Sequence, residues 1–151
     1  MTVGTVRIGR PNPALVPALV EEYRQCGRAT FAARRLSTSR LAVAVIGELD
    51  ARNGRGLGRF VEQHTGISRQ LVLDLRAVDF AGTQAFTALY YISVHCARND
   101  VDWIIVASHP VRRLLSICDP DNELPLVDDL TSGLEHLTRS ARCHQHVPSA
   151  G

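Results

Sequence analysis

Short apolar runs alternate with segments of helical periodicity from about residue 30 onward. LAVAVIGELD is almost continuously apolar as far as Ile46, which predicts a central strand. QLVLDLR is apolar at most positions, as in a strand that is covered on both faces. The segment that begins TQAF repeats apolar residues at helical spacing over about four turns. This alternation of buried strands and amphipathic helices predicts an α/β domain.

The same patterns assign the remaining segments. FAARRLST predicts a strand beside LAVAVIGELD, and VDWIIVAS predicts a further strand. NGRGLGRFVEQHTG predicts a helix that its glycines weaken, and HPVRRLLSICD predicts a short helix. LPLVDD predicts a last strand, and TSGLEHLTRSAR a terminal helix capped by Thr131 or Ser132. Near the N-terminus, ALVPALVEEYRQ predicts a short amphipathic helix.

The chain has 151 residues, a length that fits one domain with a core of its own. We predict an N-terminal extension over residues 1–29, a single domain over 30–139 and a mobile tail over 140–151. The longest apolar runs are far shorter than the roughly 18 to 20 residues that a membrane-spanning helix needs. We therefore expect a soluble, cytoplasmic protein with no membrane partner.

Every basic residue is arginine, because the sequence contains no lysine, and the net charge is only +2. The arginines are scattered along the chain and are not interleaved with aromatic residues, so no direct contact with nucleic acid is expected. Asp50 and Asp74 lie near predicted strand ends, as in phosphoryl-accepting receiver domains. Such sites need a nearby cation, usually lysine, and its absence argues against that chemistry.

Other catalytic and ligand sites lack their motifs. AGTQA has neither the serine nor the second glycine of a nucleophile elbow, and CHQH has no second pair of zinc ligands. A nucleotide-binding α/β domain stays a rival although neither GxGxxG nor a P-loop is present. Cys96 and Cys118 are open to two interpretations, a redox pair or two buried small apolar residues.

Thr83 lies in VDFAGTQAF, where an apolar strand leads into the long helix. One interpretation makes it the N-cap of that helix, with its hydroxyl oxygen accepting a backbone N–H. The other makes it an exposed hydroxyl at the positive end of the helix, available to a kinase. Both interpretations place Thr83 at the junction of strand and helix.

Three blocks of sequence, taken in order, resemble the STAS-domain anti-sigma factor antagonists. They are GELD (Gly47 to Asp50), LVLDLRAVDFAGTQAF (Leu71 to Phe86) and IIVASHPVRRLLSICD (Ile104 to Asp119). The resemblance covers about Phe31 to Leu137. It implies a single STAS-like α/β domain with a mixed sheet of four to five strands and helices mainly on one side.

The resemblance also implies a partner, an anti-sigma factor that is a serine/threonine kinase of the histidine-kinase-like ATPase type. In this family the unphosphorylated antagonist binds the anti-sigma factor and frees a sigma factor, and phosphorylation at the start of the helix releases it. By position, Thr83 corresponds to the phosphoacceptor, Gly82 to the family's aspartate, Gln84 to the next small residue and Ala85 to the glycine.

The chain is therefore expected to regulate transcription by binding a protein, without enzymatic activity, cofactor or metal. A homodimer is left open. The alternative is a degenerate STAS module that is not phosphorylated and is either constitutively active or controlled by the redox state of Cys96, Cys118 or the C-terminal tail. The residues predicted to bind the partner are Gly47, Glu48, Asp50, Gly82, Gln84 and Phe86.

Overall fold

The computed structural model describes residues 3–4 and 19–146, and these form one sheet with four helices. The strands are β1 (Val3–Gly4), β2 (Leu19–Cys26), β3 (Ala29–Arg35), β4 (Arg40–Leu49), β5 (Gln70–Ala81) and β6 (Asp102–Ala107). The helices are α1 (Gly54–Thr65), α2 (Thr83–Arg98), α3 (His109–Cys118) and α4 (Leu130–His146). The α/β class predicted from the sequence is confirmed.

The sheet is mixed, and its strands lie in chain order from β1 to β6. Strands β1 to β4 pair antiparallel, whereas β4, β5 and β6 pair parallel. Parallel neighbours need crossover connections, which α1 and α2 supply, and crossovers of the usual right hand place both helices on the same face. The carboxyl ends of β4 and β5 therefore meet at one edge, where α1 and α2 begin.

The main core lies between the sheet and helices α1, α2 and α3. Alternate residues of β4 and β5 point into it, as in Val43 and Leu73, and meet Leu57 and Phe60 of α1 and Ile92 of α2. The intervening residues point to the other face, where Val72 and Ile104 pack with Leu137 of α4. Three helices thus cover one face and one covers part of the other, in agreement with the predicted arrangement.

The helix predicted near the N-terminus is wrong over the part that the structure describes. Leu19–Cys26 is strand β2, which pairs antiparallel along β3. The hydrogen-bonding groups along the edge of β3 offer this segment a ladder, and such tertiary pairing outweighs a weak local helix preference. The rest of that predicted helix, residues 14–18, lies outside the described residues.

Two predictions near the C-terminus are also corrected. LPLVDD forms only an isolated parallel bridge beside β6, between Leu126 and Ile105, and Pro125 has no N–H to extend a ladder. Helix α4 is capped by Asp129, whose Oδ1 accepts a 2.7 Å hydrogen bond from the N–H of Ser132, so neither Thr131 nor Ser132 is the cap.

The tail predicted to be mobile over 140–151 is partly helical. Helix α4 runs to His146 and therefore includes residues 140–146. The remainder, residues 147–151, lies outside the described part of the chain.

Candidate functional site

A backbone hydrogen bond joins the end of β4 to the start of α2, the two segments that the sequence singled out. The N–H of Gly82 donates to the carbonyl oxygen of Leu49 over 2.9 Å, and Leu49 and Ala81 are paired across β4 and β5. The end of β4 and the start of α2 therefore lie side by side at one edge of the sheet. The predicted partner-binding residues Gly47 to Asp50 and Gly82 to Phe86 are brought together.

Gly47 has a conformational reason to be glycine. Its φ is +110°, a region that L side chains rarely adopt, and a Cβ there would lie 2.2 Å from the carbonyl oxygen of Arg28. The next residue, Glu48, donates its N–H to that same oxygen over 3.0 Å. Gly47 therefore shapes the end of β4 where it pairs with Ala29 at the start of β3.

Asn53 holds this turn together, and its importance was missed in the sequence. The side chain is fully buried, and its Nδ2 donates to the carbonyl oxygens of Glu48 (2.7 Å) and Cys26 (3.2 Å). Its Oδ1 accepts the N–H of Asp50 over 3.0 Å. The signal available was DARNG, in which an amide residue stands directly before a glycine-rich helix.

The two acidic residues of the turn remain accessible. Asp50 is half-buried, and its Oδ1 accepts the N–H of Arg52 over 2.9 Å, which stiffens the approach to α1. Glu48 pairs with Arg28 at 3.7 Å, but both side chains are exposed, so the pair adds little to stability. Both carboxylates are thus available to a partner.

Thr83 is the first residue of α2, and the cap position is taken by Gly82. No side chain makes a capping hydrogen bond there, so the interpretation of Thr83 as N-cap is wrong. Thr83 and Gln84 are exposed, and no acidic residue lies in the first turn of α2. Within the described residues the Thr83 hydroxyl has no hydrogen-bond partner, so it faces solvent at the positive end of a helix.

Aromatic side chains surround this helix start. Phe86 is half-buried against the main core, and its ring centroid lies 6.4 Å from that of Tyr90, which is 56% exposed. Phe80, at the end of β5, is 51% exposed. Phe86 is therefore partly a core residue, and the more exposed aromatics are Phe80 and Tyr90, which the sequence patterns did not distinguish from buried ones.

The acidic pair considered for receiver chemistry is separated in the fold. Asp74 pairs with Ala44 across β4 and β5, so it lies six residues back along β4 from Asp50, or about 20 Å at the usual strand rise. Asp74 instead accepts two 2.9 Å hydrogen bonds from Arg76. Burial opposes ionisation, but the bonds and charge of Arg76 outweigh it and lower the pKa of Asp74.

The cysteines are free thiols. Cys96 is buried in the main core, and this desolvation raises its pKa to about 12. Only the thiolate attacks an oxidant or a disulfide, so Cys96 has almost no reactive form at neutral pH. Cys118 is half-buried at the end of α3.

A family model of the STAS domain matches residues 32–133, more than half of the chain. The chain belongs to the STAS-domain family. The resemblance that the three sequence blocks indicated is therefore confirmed at the level of the family. No curated protein matches the sequence.

Solved STAS-domain structures share the fold. An anti-sigma factor antagonist from Mycobacterium paratuberculosis matches with a TM-score of 0.56 and 23% identity, covering 73% of this chain and 94% of that one. The antagonist SpoIIAA in its unphosphorylated form matches with a TM-score of 0.60 and 11% identity, over 73% of this chain and 96% of that one. SLC26A9 matches with a TM-score of 0.60 and 16% identity, over 72% of this chain and 21% of that one.

These identities are low enough that the structures establish the STAS fold alone. The fold occurs both as nearly the whole of an antagonist and as a fifth of SLC26A9, so it does not by itself assign a function. In the described part of this chain, no helix has the length and apolar character needed to cross a membrane.

Proposed function

We propose that this STAS protein is an anti-sigma factor antagonist. It binds an anti-sigma factor of the histidine-kinase-like ATPase type through the end of β4 and the start of α2, and so releases a sigma factor. The observation that carries the proposal is the hydrogen bond from Gly82 to Leu49. This bond holds the start of α2 beside the end of β4, so that the two segments form one surface. The protein regulates transcription through this contact, with no reaction of its own.

The composition of the surface suits a protein partner. Half-buried Glu48 and Asp50 offer charge, Thr83 and Gln84 offer hydrogen-bonding groups, and Phe80 offers an exposed aromatic ring. Aromatic residues are enriched at the energetic centres of protein interfaces. A polar edge beside an exposed ring is therefore a sound basis for specific binding.

Thr83 is the proposed phosphoacceptor. Its hydroxyl is exposed and without a partner among the described residues, so a kinase reaches it without unfolding the helix. A phosphate would add about 1.5 to 2 negative charges. The helix dipole stabilises an exposed charge by only about 0.3 to 1 kcal/mol. Desolvating the phosphate at the interface costs more than this, so phosphorylation releases the partner.

Capture experiments with matched variants test the proposal. Wild type, Thr83→Glu and the control Thr131→Glu are used as bait in lysate of the source organism. Thr131 is exposed and lies in the first turn of α4, so the control places the same charge at another helix start. We expect an ATPase-type anti-sigma factor to be captured by the wild type and by the control, and to be lost with Thr83→Glu.

Other outcomes separate the parts of the proposal. Capture of no anti-sigma factor by the wild type would contradict the antagonist function. Equal capture by Thr83→Glu would remove Thr83 from the interface. Incubating the captured kinase with ATP and the antagonist, followed by mass spectrometry, decides the switch: phosphate on Thr83 supports it, and an unmodified protein supports the constitutive alternative.

A further inference from the structure

A groove of about 370 Å³ lies between the first halves of α1 and α2. On the α1 side its wall is formed by Gly54 and Gly58, one helical turn apart, and on the α2 side by Thr87 and the buried Ala88. Because both glycines lack a side chain, backbone lines the groove there, and its other walls are formed by Arg55, Arg59, Gln84 and Tyr91. The groove has room for one or two side chains of another molecule.

The two glycines allow the helices to approach closely. A Cβ on Gly58 would lie 2.8 Å from Cδ1 of Tyr91, and one on Gly54 would lie 3.1 Å from the carbonyl oxygen of Gln84. Glycine is less favourable than alanine inside a helix, so Gly58 lowers the stability of α1. Its missing side chain leaves room for the ring of Tyr91. Replacing Gly58 would move Tyr91, which forms the far end of the groove.

The rim of the groove carries two arginines. Arg55 and Arg59 are exposed, lie one turn apart on α1, and make no ion pair or hydrogen bond within the described residues. Arg55 is in the first turn, where the helix dipole disfavours a cation. The nearby carboxylate of Glu62 accepts a 2.7 Å hydrogen bond from the Tyr91 hydroxyl at the far end of the groove.

We propose that this groove binds an acidic segment of the anti-sigma factor and takes one of its aliphatic side chains between α1 and α2, beside Thr87. The inference rests on the proposed function. Gln84 belongs both to the groove and to the surface at the end of β4, so the two are continuous. The paired arginines supply the charge complementarity, because carboxylates of the segment would lie over Arg55 and Arg59.

Synthetic peptides test the groove without any knowledge of the partner. The probes are a glutamate-rich peptide with a central Leu-Leu pair and a matched peptide with every Glu replaced by Gln, added to the full-length ¹⁵N-labelled protein. We expect saturable amide shifts at Gly54, Gly58 and Ala88 with the acidic peptide only. Equal shifts with both peptides, or no saturable shift with either, would overturn the proposal.

Charge variants supply the control. Arg55→Gln with Arg59→Gln should weaken binding of the acidic peptide by about tenfold or more at low salt, and the difference should shrink as salt is raised. The matched pair is Arg139→Gln with Arg142→Gln, because both arginines are exposed on α4 across the sheet from the groove. An equal loss from both pairs would show nonspecific attraction and overturn the inference.

A groove-filling variant provides a readout that does not depend on charge. Thr87 is exposed on the groove wall, so Thr87→Trp occupies the space without entering the core. It should abolish the peptide-induced shifts, and retained shifts would contradict the inference. If the wild type and Thr87→Trp capture the anti-sigma factor equally, the groove proposal fails while the antagonist function stands. The peptide experiment tests the groove separately, because its result does not depend on the antagonist function.

Discussion

The Nδ2 group of Asn53 donates a 2.7 Å hydrogen bond to the carbonyl oxygen of Glu48. The same buried amide bonds to the carbonyl oxygen of Cys26 and to the N–H of Asp50, so it ties three segments together. Each buried polar group left without a partner costs roughly 1 to 3 kcal/mol. The turn that presents Glu48 and Asp50 therefore depends on one side chain.

Replacing Asn53 by Ala should lower the free energy of unfolding by about 2 to 4 kcal/mol, since three part-buried backbone groups lose a hydrogen bond and a fully buried side chain is removed. Asn53→Asp retains an oxygen for the N–H of Asp50 but loses both donated bonds, so it should also be destabilising. Urea unfolding measures both variants. If the free energy of unfolding fell by less than about 1 kcal/mol in both variants, water or local rearrangement would be satisfying the three backbone groups.

Gly47→Ala should be one of the most destabilising glycine substitutions in the chain. The added Cβ would lie 2.2 Å from backbone oxygen of Arg28 at a φ of +110°, so both sterics and backbone conformation oppose it. We expect the free energy of unfolding, measured in urea, to fall by about 3 kcal/mol or more.

Gly66→Ala is the matched control. Gly66 also has a positive φ, of +44°, but a Cβ there would have no atom within 4 Å. Only the backbone strain opposes this substitution, so the free energy of unfolding should fall by about 1 to 2 kcal/mol. Equal losses for the two variants would mean that the contact with Arg28 relaxes easily.

The central part of this fold follows from local sequence patterns. Strand β5 begins with an apolar run that is buried on both faces, and β4 is apolar at nearly every position as far as Ile46. Gly47 follows the apolar run of β4 and Gly82 follows β5. Parallel pairing then places the ends of both strands at one edge of the sheet. For this reason Gly47 to Asp50 and Gly82 to Phe86 could be predicted to share a surface.

Other features depend on parts of the chain that are distant in sequence. Strand β2 exists because β3 offers it a ladder, and nothing in VEEYRQC reveals that partner. The role of Asn53 requires the backbone of Cys26 and Glu48 to arrive from two other segments. The groove between α1 and α2 arises from the packing of the two helices. In the sequence, Gly54 and Gly58 indicate only a less stable helix, whereas in the structure they line the groove.

Thr83→Glu should leave the fold intact and raise the free energy of unfolding by about 0.3 to 1 kcal/mol at low salt. Thr83 is exposed at the start of α2, where no acidic residue offsets the helix dipole, and a carboxylate there is stabilising. Thr83→Arg should have the opposite sign. Urea unfolding at low and high salt checks both, and marked destabilisation by Glu would make loss of partner binding an effect of unfolding.

The Asp74 and Arg76 pair predicts a pH dependence. The pKa of Asp74 is lowered in the folded protein because the hydrogen bonds and charge of Arg76 outweigh burial. A lowered folded pKa contributes stability above the unfolded value near 3.8, and this contribution is lost as pH falls through the folded pKa.

Arg76→Gln should therefore be less stable than wild type at neutral pH, and the difference should narrow as the pH falls below about 4. Urea unfolding across this range, with an NMR titration of the Asp74 carboxyl carbon, measures the effect. A difference that is the same at pH 3 and pH 7 would show that Arg76 acts through packing and not through the charge of Asp74.

The buried thiol of Cys96 argues against redox control through this residue. Its pKa of about 12 and its burial keep it protonated and out of reach, whereas Cys143 on α4 is exposed. In the folded protein, Ellman's reagent should therefore modify Cys143 quickly and Cys96 only after denaturant is added. Peptide mapping after brief labelling identifies the modified residues. Rapid labelling of Cys96 in the folded state would show that α2 opens, and it would restore Cys96 as a candidate for a redox switch.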